Sequence, residues 1–500
     1  MPSDYLVLFA QVHDEFRIPE LLSVSELYKF KIGFPPEVVT SRPFMILSLE
    51  SEEHALILAK RCILVKSLYE LYASGTSYEE VHEQVRRNHD KWSRYVSHTT
   101  FKFSVTGYAN TIPQDRQRDV INSFRWMDLR GKIDMKNPEV TFVCHEEYVY
   151  VEGNRIRSFD DGNFIAVYFG RLLADGSARP LIRTFNVKTR QYYGNTSMDA
   201  EISLLMANQA LAAPGRLMYD PFVGTGSMAY TCAHFGSLFI GSDIDGRQMR
   251  GKSTPLEYDV LDGRTEAVPA HEDDGSGIIR SANQYGVASR IVDLLTVDVT
   301  QHPWRSGGLF DAIVTDPPYG VRAGAKRLGR KKTREIVIER VQTFMAAREF
   351  CVSRFLCVFA TFNLYYLCNR SDQPYTPPTK PYELSELISD LVLFSRAMLK
   401  PQGRLVFFLP TVTEEYEEID IETMMCDGME VVANSLQNFG NWGRRLITIK
   451  KCTNESYPPP ILRRVPEMEV DEDSEETGEH IPAHKDFRVK YFQGFKKSAP

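Results

Sequence analysis

The chain has 500 residues and a formal net charge of -7, with 43% hydrophobic and 25% charged residues. These are values of a globular protein, and they exclude a mostly disordered, collagen-like or coiled-coil chain. The 8 cysteines are too sparse for a disulfide scaffold and include no CxxC pair. The start lacks a secretory leader, and no apolar run approaches the roughly 20 residues of a membrane span. We therefore predict a cytoplasmic protein with reduced thiols.

The first part of the chain mixes helix and strand patterns without a regular alternation of the two. Apolar spacing predicts helices over residues 51–72 and 113–124, whereas alternation predicts strands over 101–105, 140–144 and 164–169. We therefore expect an α+β module at the N-terminus.

From about residue 193 strands and helices alternate. A helix is predicted over residues 198–213, with Thr196 and Asp199 as a capping box, and a second over 383–399. Strands are predicted over 217–219, 237–241, 291–297, 310–314, 405–409 and 446–450. This alternation predicts a doubly wound, mostly parallel sheet whose ligands bind beyond the carboxyl ends of the strands.

Three stretches fall outside this pattern. Residues 253–277 are predicted to be a surface insertion, residues 369–381 a proline-rich loop, and the chain after residue 453 a largely disordered tail. The tail holds eight acidic and no basic residues between 467 and 479, so subtracting -8 from -7 leaves +1 for the rest. The net charge therefore does not argue against a nucleic-acid partner.

A glycine loop follows the strand predicted at 217–219, in the sequence Asp220-Pro-Phe-Val-Gly224-Thr-Gly226. Two glycines one residue apart allow a sharp bend and a close approach to a ligand. The next strand ends at Asp243, and a carboxylate there suits the two hydroxyls of a ribose. Asp220 suits a cationic group, such as an ammonium or a sulfonium. Together they predict a site for a nucleoside-containing cofactor.

A sharper motif, Asp316-Pro317-Pro318-Tyr319-Gly320, follows the strand predicted at 310–314. The prolines rigidify the turn and remove two backbone donors. The Asp316 carboxylate and the Pro317 carbonyl are then free to accept both hydrogens of an exocyclic amine, and Tyr319 offers a ring on which a base can stack. The alternative is a rigid turn with a packed tyrosine.

A literal P-loop pattern runs from Gly246 to Ser253. A P-loop has to open a helix, but the residues that follow are rich in prolines and turn formers. Asp243 and Asp245 would also repel phosphates. We therefore keep a P-loop ATPase only as a minor alternative.

Together the motifs at Asp220 and Asp316 resemble those of the amino-group methyltransferases that use S-adenosylmethionine. Residues 193–199, 320–327 and 444–446 resemble more closely the family of eukaryotic tRNA guanosine-10 N2-methyltransferase catalytic subunits, and residues 131–140 resemble a THUMP RNA-binding domain. The resemblance implies a class I, Rossmann-like methyltransferase domain with a seven-stranded sheet, preceded by a THUMP-containing module. It also implies tRNA as substrate and a small zinc-binding activator subunit as partner.

The predicted site residues follow from the motifs and the resemblance. The catalytic group is Asp316, Pro317, Pro318 and Tyr319. The cofactor-binding group is Thr196, Asp220, Phe222, Gly224, Gly226, Asp243 and Asp298. Asp298 has an alternative role as a carboxylate that caps the next turn. From the basic run 322–334, Arg322, Lys326 and Arg327 are predicted to contact RNA phosphates, and no metal site is predicted.

The expected domains are residues 1–180 for the N-terminal module, 181–455 for the methyltransferase and 456–500 for the tail. The nearest alternative function is DNA amino methylation at adenine N6 or cytosine N4, which uses the same Asp-Pro-Pro-Tyr chemistry.

Overall fold

The structure is a computed structural model, and it describes residues 2–149, 164–251, 276–305, 307–320, 324–328, 379–458, 460, 483–485 and 487–493. Within these residues two β-sheets organise the chain, one in the first 175 residues and one from residue 217 onwards.

The N-terminal sheet has the order β2-β1-β3-β6-β5-β4 and is antiparallel except for the parallel pair β4 and β5. Its strands are β1 (Ser3–Phe9), β2 (Phe44–Leu49), β3 (Val65–Gly75), β4 (Phe101–Tyr108), β5 (Val140–Tyr148) and β6 (Phe164–Asp175). Its helices are α1 (Arg17–Tyr28), α2 (Glu52–Arg61), α3 (Tyr78–Arg87), α4 (His89–Trp92) and α5 (Gln114–Ser123). The predicted α+β module is confirmed.

The helix predicted over residues 51–72 is wrong in its second half. The helix ends with α2 at Arg61, and Val65–Gly75 forms β3. β3 lies between β1 and β6, and residues on both of its faces are largely buried. A strand buried on both faces has a nearly continuous apolar sequence, which periodicity cannot distinguish from a buried helix.

The second sheet has the order β14-β15-β13-β10-β7-β8-β9. Its strands are β7 (Leu217–Asp220), β8 (Leu238–Asp243), β9 (Ile291–Thr296), β10 (Phe310–Thr315), β13 (Leu399–Val412), β14 (Met429–Asn438) and β15 (Trp442–Lys451), and a separate hairpin pairs β11 (Lys326–Leu328) with β12 (Thr379–Pro381). Five neighbouring strands of this sheet are parallel to one another, namely β13, β10, β7, β8 and β9. β15 runs antiparallel to both of its neighbours, β13 and β14. The predicted mostly parallel, seven-stranded sheet is confirmed.

The helices of this half are α6 (Leu181–Thr184), α7 (Ala200–Gln209), α8 (Ser227–His234), α9 (Gly246–Arg250), α10 (Gly277–Gln284), α11 (Leu384–Met398), α12 (Ile419–Glu422) and α13 (Phe487–Gln493). The predicted capping box at the start of α7 is wrong. Asp199 is itself the N-cap, because its carboxylate accepts from the backbone N–H groups of Glu201 and Ile202, and Thr196 is left to face the cavity described below.

The two sheets share one hydrophobic core through α1, α2 and α7. At its centre the carboxylate of Glu20 accepts from the backbone N–H groups of Ile63 and Leu64, at 2.7 and 3.0 Å, and from the side-chain amide of Asn208 at 2.7 Å. The Arg61 guanidinium donates to Asn208 Oδ1 at 2.6 Å. The N-terminal module is thus joined to α7 by buried polar contacts as well as by apolar packing.

Most of the three stretches predicted as irregular lies outside the described residues, namely 253–275 of the first, 369–378 of the second, and 459, 461–482, 486 and 494–500 of the tail. Two parts are described and differ from the prediction. Thr379–Pro381 pairs with Lys326–Leu328 as a strand, and residues 487–493 of the tail form α13, which packs on the second sheet. No helix among the described residues is long and apolar enough to cross a bilayer.

Candidate active site

The candidate site lies at the carboxyl ends of β7, β8 and β10. The chain runs outward from β7 through β8 to β9, and then returns to the other side of β7 as β10. This reversal is the topological switch point at which open α/β sheets bind ligands. Asp220 ends β7, Asp243 ends β8 and Asp316 follows β10, so the strand order brings the three predicted carboxylates together.

The glycine loop binds back to the end of β8. Gly224 has φ +51°, and its backbone N–H donates to Asp243 Oδ2 at 3.0 Å. A Cβ at Gly224 would lie 3.4 Å from the hydroxyl oxygen of Thr196, an ordinary contact, so it is the positive φ that favours glycine here. Burial raises the pKa of Asp243 to about 6.

Asp220 is the most deeply buried carboxylate of the site, with 2% of its surface exposed. Its Oδ1 accepts from the Thr315 hydroxyl at 2.5 Å and from the Phe222 backbone N–H at 2.9 Å. The pKa of Asp220 is raised to about 8, mainly by burial. The two hydrogen bonds oppose this rise, and the charges of Asp243 and Asp316 contribute to it. A buried carboxylate of this kind favours a cationic ligand, which would restore its ionised form.

Asp316 is held next to a buried cation from the last strand. Its Oδ2 lies 3.7 Å from Nη1 of Arg444 on β15. The Arg444 guanidinium also lies 4.2 Å from the centre of the Phe408 ring and donates to Gln437 Oε1 at 2.7 Å. Because these contacts hold Arg444 on three sides, it can orient the Asp316 carboxylate.

The carboxylates and the glycine loop line one cavity of about 920 Å³. The predicted residues among its lining are Thr196, Asp220, Phe222, Gly224, Asp243, Asp316, Pro317, Pro318, Tyr319 and Lys326. The structure thus brings together all four predicted catalytic residues, five of the seven predicted cofactor residues and one of the predicted RNA contacts.

The remaining predicted residues have other surroundings. A Cβ at Gly226 (φ +85°) would lie 2.9 Å from Ile278 Cγ2, away from the cavity. Arg327 lies 4.9 Å from the Tyr382 ring centre and 3.3 Å from a carboxylate oxygen of Glu386. Arg322 lies outside the described residues.

Asp298 takes the alternative role that the sequence analysis left open. Its Oδ1 accepts from the Thr300 backbone N–H and hydroxyl, both at 2.8 Å. Its Oδ2 accepts from the Leu328 backbone N–H at 2.5 Å. The side chain therefore caps a turn and clamps β11, whose exposed Lys326 reaches the cavity.

The P-loop alternative disagrees with the described residues. The positions that would wrap phosphates form α9, which is capped by the carboxylate of Asp245 and ends at Gly251 with φ +68°. A P-loop places its loop before the helix, whereas here the helix occupies the loop positions.

The sequence analysis missed several residues of the cavity. Gln437, Phe439, Trp442 and Arg444 come from the end of β14 and the start of β15, and Tyr491 comes from α13. A signal was available for the first group. Because the last strand is antiparallel, its start lies at the same sheet edge as the ends of the parallel strands.

The fold and the site define a methyltransferase with an N-terminal RNA-binding module, and comparison with known proteins agrees. Residues 3–179 match the family described as the Tmrp11 THUMP N-terminal domain. Residues 188–352 match the family described as the RMKL-like methyltransferase domain.

Curated relatives narrow the class further. A tRNA (guanine(10)-N(2))-methyltransferase of Schizosaccharomyces pombe is 35% identical over 92% of this chain and 82% of its own length. One of Saccharomyces cerevisiae is 35% identical over 89% and 92%, and TRMT11 of Homo sapiens, which has the same enzyme name, is 32% identical over 99% and 96%. The chain belongs to the tRNA (guanine(10)-N(2))-methyltransferase family.

Proposed function

We propose that this protein transfers a methyl group from S-adenosylmethionine to the exocyclic N2 of guanosine 10 in tRNA. The observation that carries the proposal is the meeting of Asp316-Pro-Pro-Tyr and the glycine loop in one cavity, in a chain of this family.

The hydrogen-bonding groups and the charges that line the cavity suit S-adenosylmethionine. Asp243 can accept hydrogen bonds from ribose hydroxyls, and Gly224 leaves room for the backbone to approach the ligand. Asp220 offers a buried carboxylate to the cationic methionine part, and Thr196 offers a hydroxyl to its carboxylate. The bound cofactor supplies an electrophilic methyl carbon on a sulfonium.

The amino nitrogen of guanine is a weak nucleophile because its lone pair is delocalised into the ring. We propose that the Asp316 carboxylate and the Pro317 carbonyl accept its two hydrogens, which favours a tetrahedral nitrogen with a lone pair directed at the methyl carbon. The proton then leaves to Asp316 or to water beyond it. Positioning would supply most of the acceleration, and removal of the proton a smaller share.

The target base has to leave its stack before it can reach Asp316. We propose that Tyr319 and Phe222, which both line the cavity, hold the extruded base. Lys326 is exposed at the cavity mouth and would contact a phosphate. Residues 1–180 would provide the reach to tRNA, residues 181–455 the catalysis, and 456–500 a tail.

Two further proposals concern the surroundings of the enzyme. The first is a small zinc-binding activator subunit docked on the methyltransferase half, which rests on the family resemblance. The second is a cytoplasmic location, which the free thiols of Cys62, Cys144 and Cys232 fit because cytosolic thiols are kept reduced.

The test is methyl transfer from labelled S-adenosylmethionine to unmodified tRNA, with duplex DNA alongside, and with and without the activator. Asp316→Asn should lower kcat by about 10²–10⁴-fold, because it removes the anionic acceptor, while cofactor affinity is retained. The matched control is Asp311→Asn, at the opposite end of the same strand β10, which should stay near wild-type activity.

Label at guanine N2 of nucleotide 10, lost in Asp316→Asn only, would support the proposal. Label at another tRNA position would overturn the site assignment. Label on DNA would replace the function with DNA amino methylation. If neither substrate is methylated although cofactor and activator are bound, the proposal is overturned.

A further inference from the structure

The C-terminal helix α13 lies directly on the Asp316-Pro-Pro-Tyr motif. Phe487 packs edge-on against Tyr319, with ring centroids 6.3 Å apart. Next to it, a Cβ at Gly320 (φ +86°) would lie 2.9 Å from Cδ of Arg488. The helix and the turn that carries the proposed chemistry are therefore in contact along two consecutive residues of the turn.

The helix and the residues just before it are anchored on β13 and on the segment that follows this strand. The backbone N–H of Ala483 donates to Asp420 Oδ2 at 3.1 Å, and Lys490 Nζ donates to Glu415 Oε2 at 2.5 Å. The side chain of Phe487 is almost fully buried. Phe487 and Lys490 are three residues apart and therefore lie on the same side of the helix, where the buried ring and the ion pair together fix the orientation of α13.

This orientation places Tyr491 in the wall of the cavity. Its ring lies edge-on to Trp442 with centroids 5.4 Å apart, and Trp442 packs on Phe439 at 4.7 Å. All three rings line the same cavity as Asp316 and the glycine loop. They form an aromatic wall on the side where α13 covers the site.

The size of the cavity indicates that α13 encloses the site without filling it. With the helix in place the cavity still has about 920 Å³, near the top of the range of roughly 300–1,000 Å³ that holds a single drug-sized ligand. The volume is that of a ligand pocket, so the helix leaves the site able to bind.

We propose that α13 forms the outer wall of the target-base pocket and that Tyr491 packs against the extruded guanosine. The inference rests on the proposed function and deepens it. Every base presents a π-face, and stacking on aromatic side chains is the usual way in which proteins hold an unstacked base. An aromatic wall in the same cavity as Asp316 would hold the guanine within reach of the two hydrogen-bond acceptors.

The experiment compares three variants of Tyr491 in the full-length enzyme with its activator. Tyr491→Ala removes the ring, Tyr491→Leu keeps apolar bulk without the ring, and Tyr491→Phe keeps the ring without the hydroxyl. The matched control is Val489→Ala, because Val489 is exposed on the same helix. The readouts are KM and kcat for tRNA, Kd for S-adenosylmethionine and the thermal melting temperature.

We expect Tyr491→Ala and Tyr491→Leu to raise KM for tRNA about 10-fold, because the stacking contact between the ring and the base is lost. The Kd for S-adenosylmethionine should stay within about twofold of the wild-type value. Tyr491→Phe should restore KM, and Val489→Ala should not change it. If Tyr491→Ala lowers the thermal melting temperature, the KM of Tyr491→Leu for tRNA decides whether the ring contacts the base.

Three results would overturn the proposal that α13 forms the outer wall of the target-base pocket. An unchanged KM and kcat would show that Tyr491 does not touch the base. A higher rate would make α13 an autoinhibitory cover. A weaker cofactor Kd with an unchanged KM for tRNA would make Tyr491 part of the cofactor site. If wild type methylates no tRNA, the proposed function fails as well, so the two failures are distinguishable.

Discussion

The Arg444 guanidinium lies 3.7 Å from the Asp316 carboxylate and joins the last strand of the sheet to the Asp-Pro-Pro-Tyr turn. Only 12% of the Arg444 side chain is exposed, and Phe408 and Gln437 fix its direction. The contact places a fixed cation beside the carboxylate at the end of β10, where the proposed chemistry needs it.

Arg444→Lys should therefore lower kcat about 10-fold or more and leave the cofactor Kd nearly unchanged. A lysine keeps the charge but loses the rigid planar donor fork and its packing on the Phe408 ring. Steady-state kinetics with tRNA and calorimetric titration with S-adenosylmethionine measure the two quantities. Arg445→Lys is the control, because Arg445 packs instead on Tyr416, with 3.4 Å to the ring centre. Equal losses in both variants would indicate a general disturbance of β15.

The pH dependence of cofactor binding should report the state of Asp220. In the free enzyme the pKa of Asp220 is raised to about 8, so the neutral acid predominates below that pH. A cationic ligand favours the carboxylate and lowers this pKa on binding, which releases a proton. Affinity should therefore rise with pH between about 7 and 8 and level off above.

The comparison ligand is methylthioadenosine, which lacks both the ammonium and the sulfonium. Its affinity should change little over the same range. Calorimetry in buffers of different ionisation enthalpy would measure the released proton directly, and Asp220→Asn should abolish the release. An affinity for S-adenosylmethionine that is flat from pH 7 to 8 would contradict the cationic role of Asp220.

The sequence predicts those parts of the site that are contiguous in the chain and located at strand ends. Asp220, Gly224 and Asp316 each follow an apolar strand, and the alternation of elements predicts that these strands are parallel neighbours. Arg444 and Tyr491 join the cavity only through the antiparallel last strand and the docking of α13. Residues 444–446 carry part of the family resemblance, but no local feature places Arg444 or Tyr491 in the cavity, since an arginine in a strand and a tyrosine in a short tail helix fit many environments.

The error at β3 has a related cause. The apolar residues of β3 are buried on both of its faces, which removes the alternation that identifies a strand. The prediction for Asp298 was undecided for a different reason. Its partner, the Leu328 N–H, lies 2.5 Å away in β11, a strand that none of the predicted elements covers.

Asp298→Ala should separate the two roles considered for this carboxylate. Its loss frees the Leu328 backbone N–H, so β11 and the exposed Lys326 lose their fixed position at the cavity mouth. We expect KM for tRNA to rise about 10-fold, equivalent to ~1.4 kcal/mol, with cofactor Kd unchanged. If Asp298 instead contacted adenine, cofactor Kd would rise in parallel. Thr300→Val is the control, because it removes the hydroxyl that donates to Asp298 and leaves the bond to Leu328.

Arg61→Ala should destabilise the junction between the N-terminal module and α7. It removes a donor from Asn208 Oδ1 and another from the Ala212 carbonyl, at 2.6 and 2.7 Å, and exposes the Phe235 ring that the guanidinium covers. Leaving buried acceptors without donors costs about 1–3 kcal/mol in the free energy of unfolding, measurable by urea denaturation. The control is Arg87→Ala, whose ion pair with Glu83 is solvent-exposed and should change stability by less than about 1 kcal/mol. Equal stability of the two variants would show that packing of the shared core alone holds the halves together.

The same change should affect tRNA binding. If the junction aligns the RNA-binding module with the site, Arg61→Ala should also raise KM for tRNA while leaving cofactor Kd unchanged.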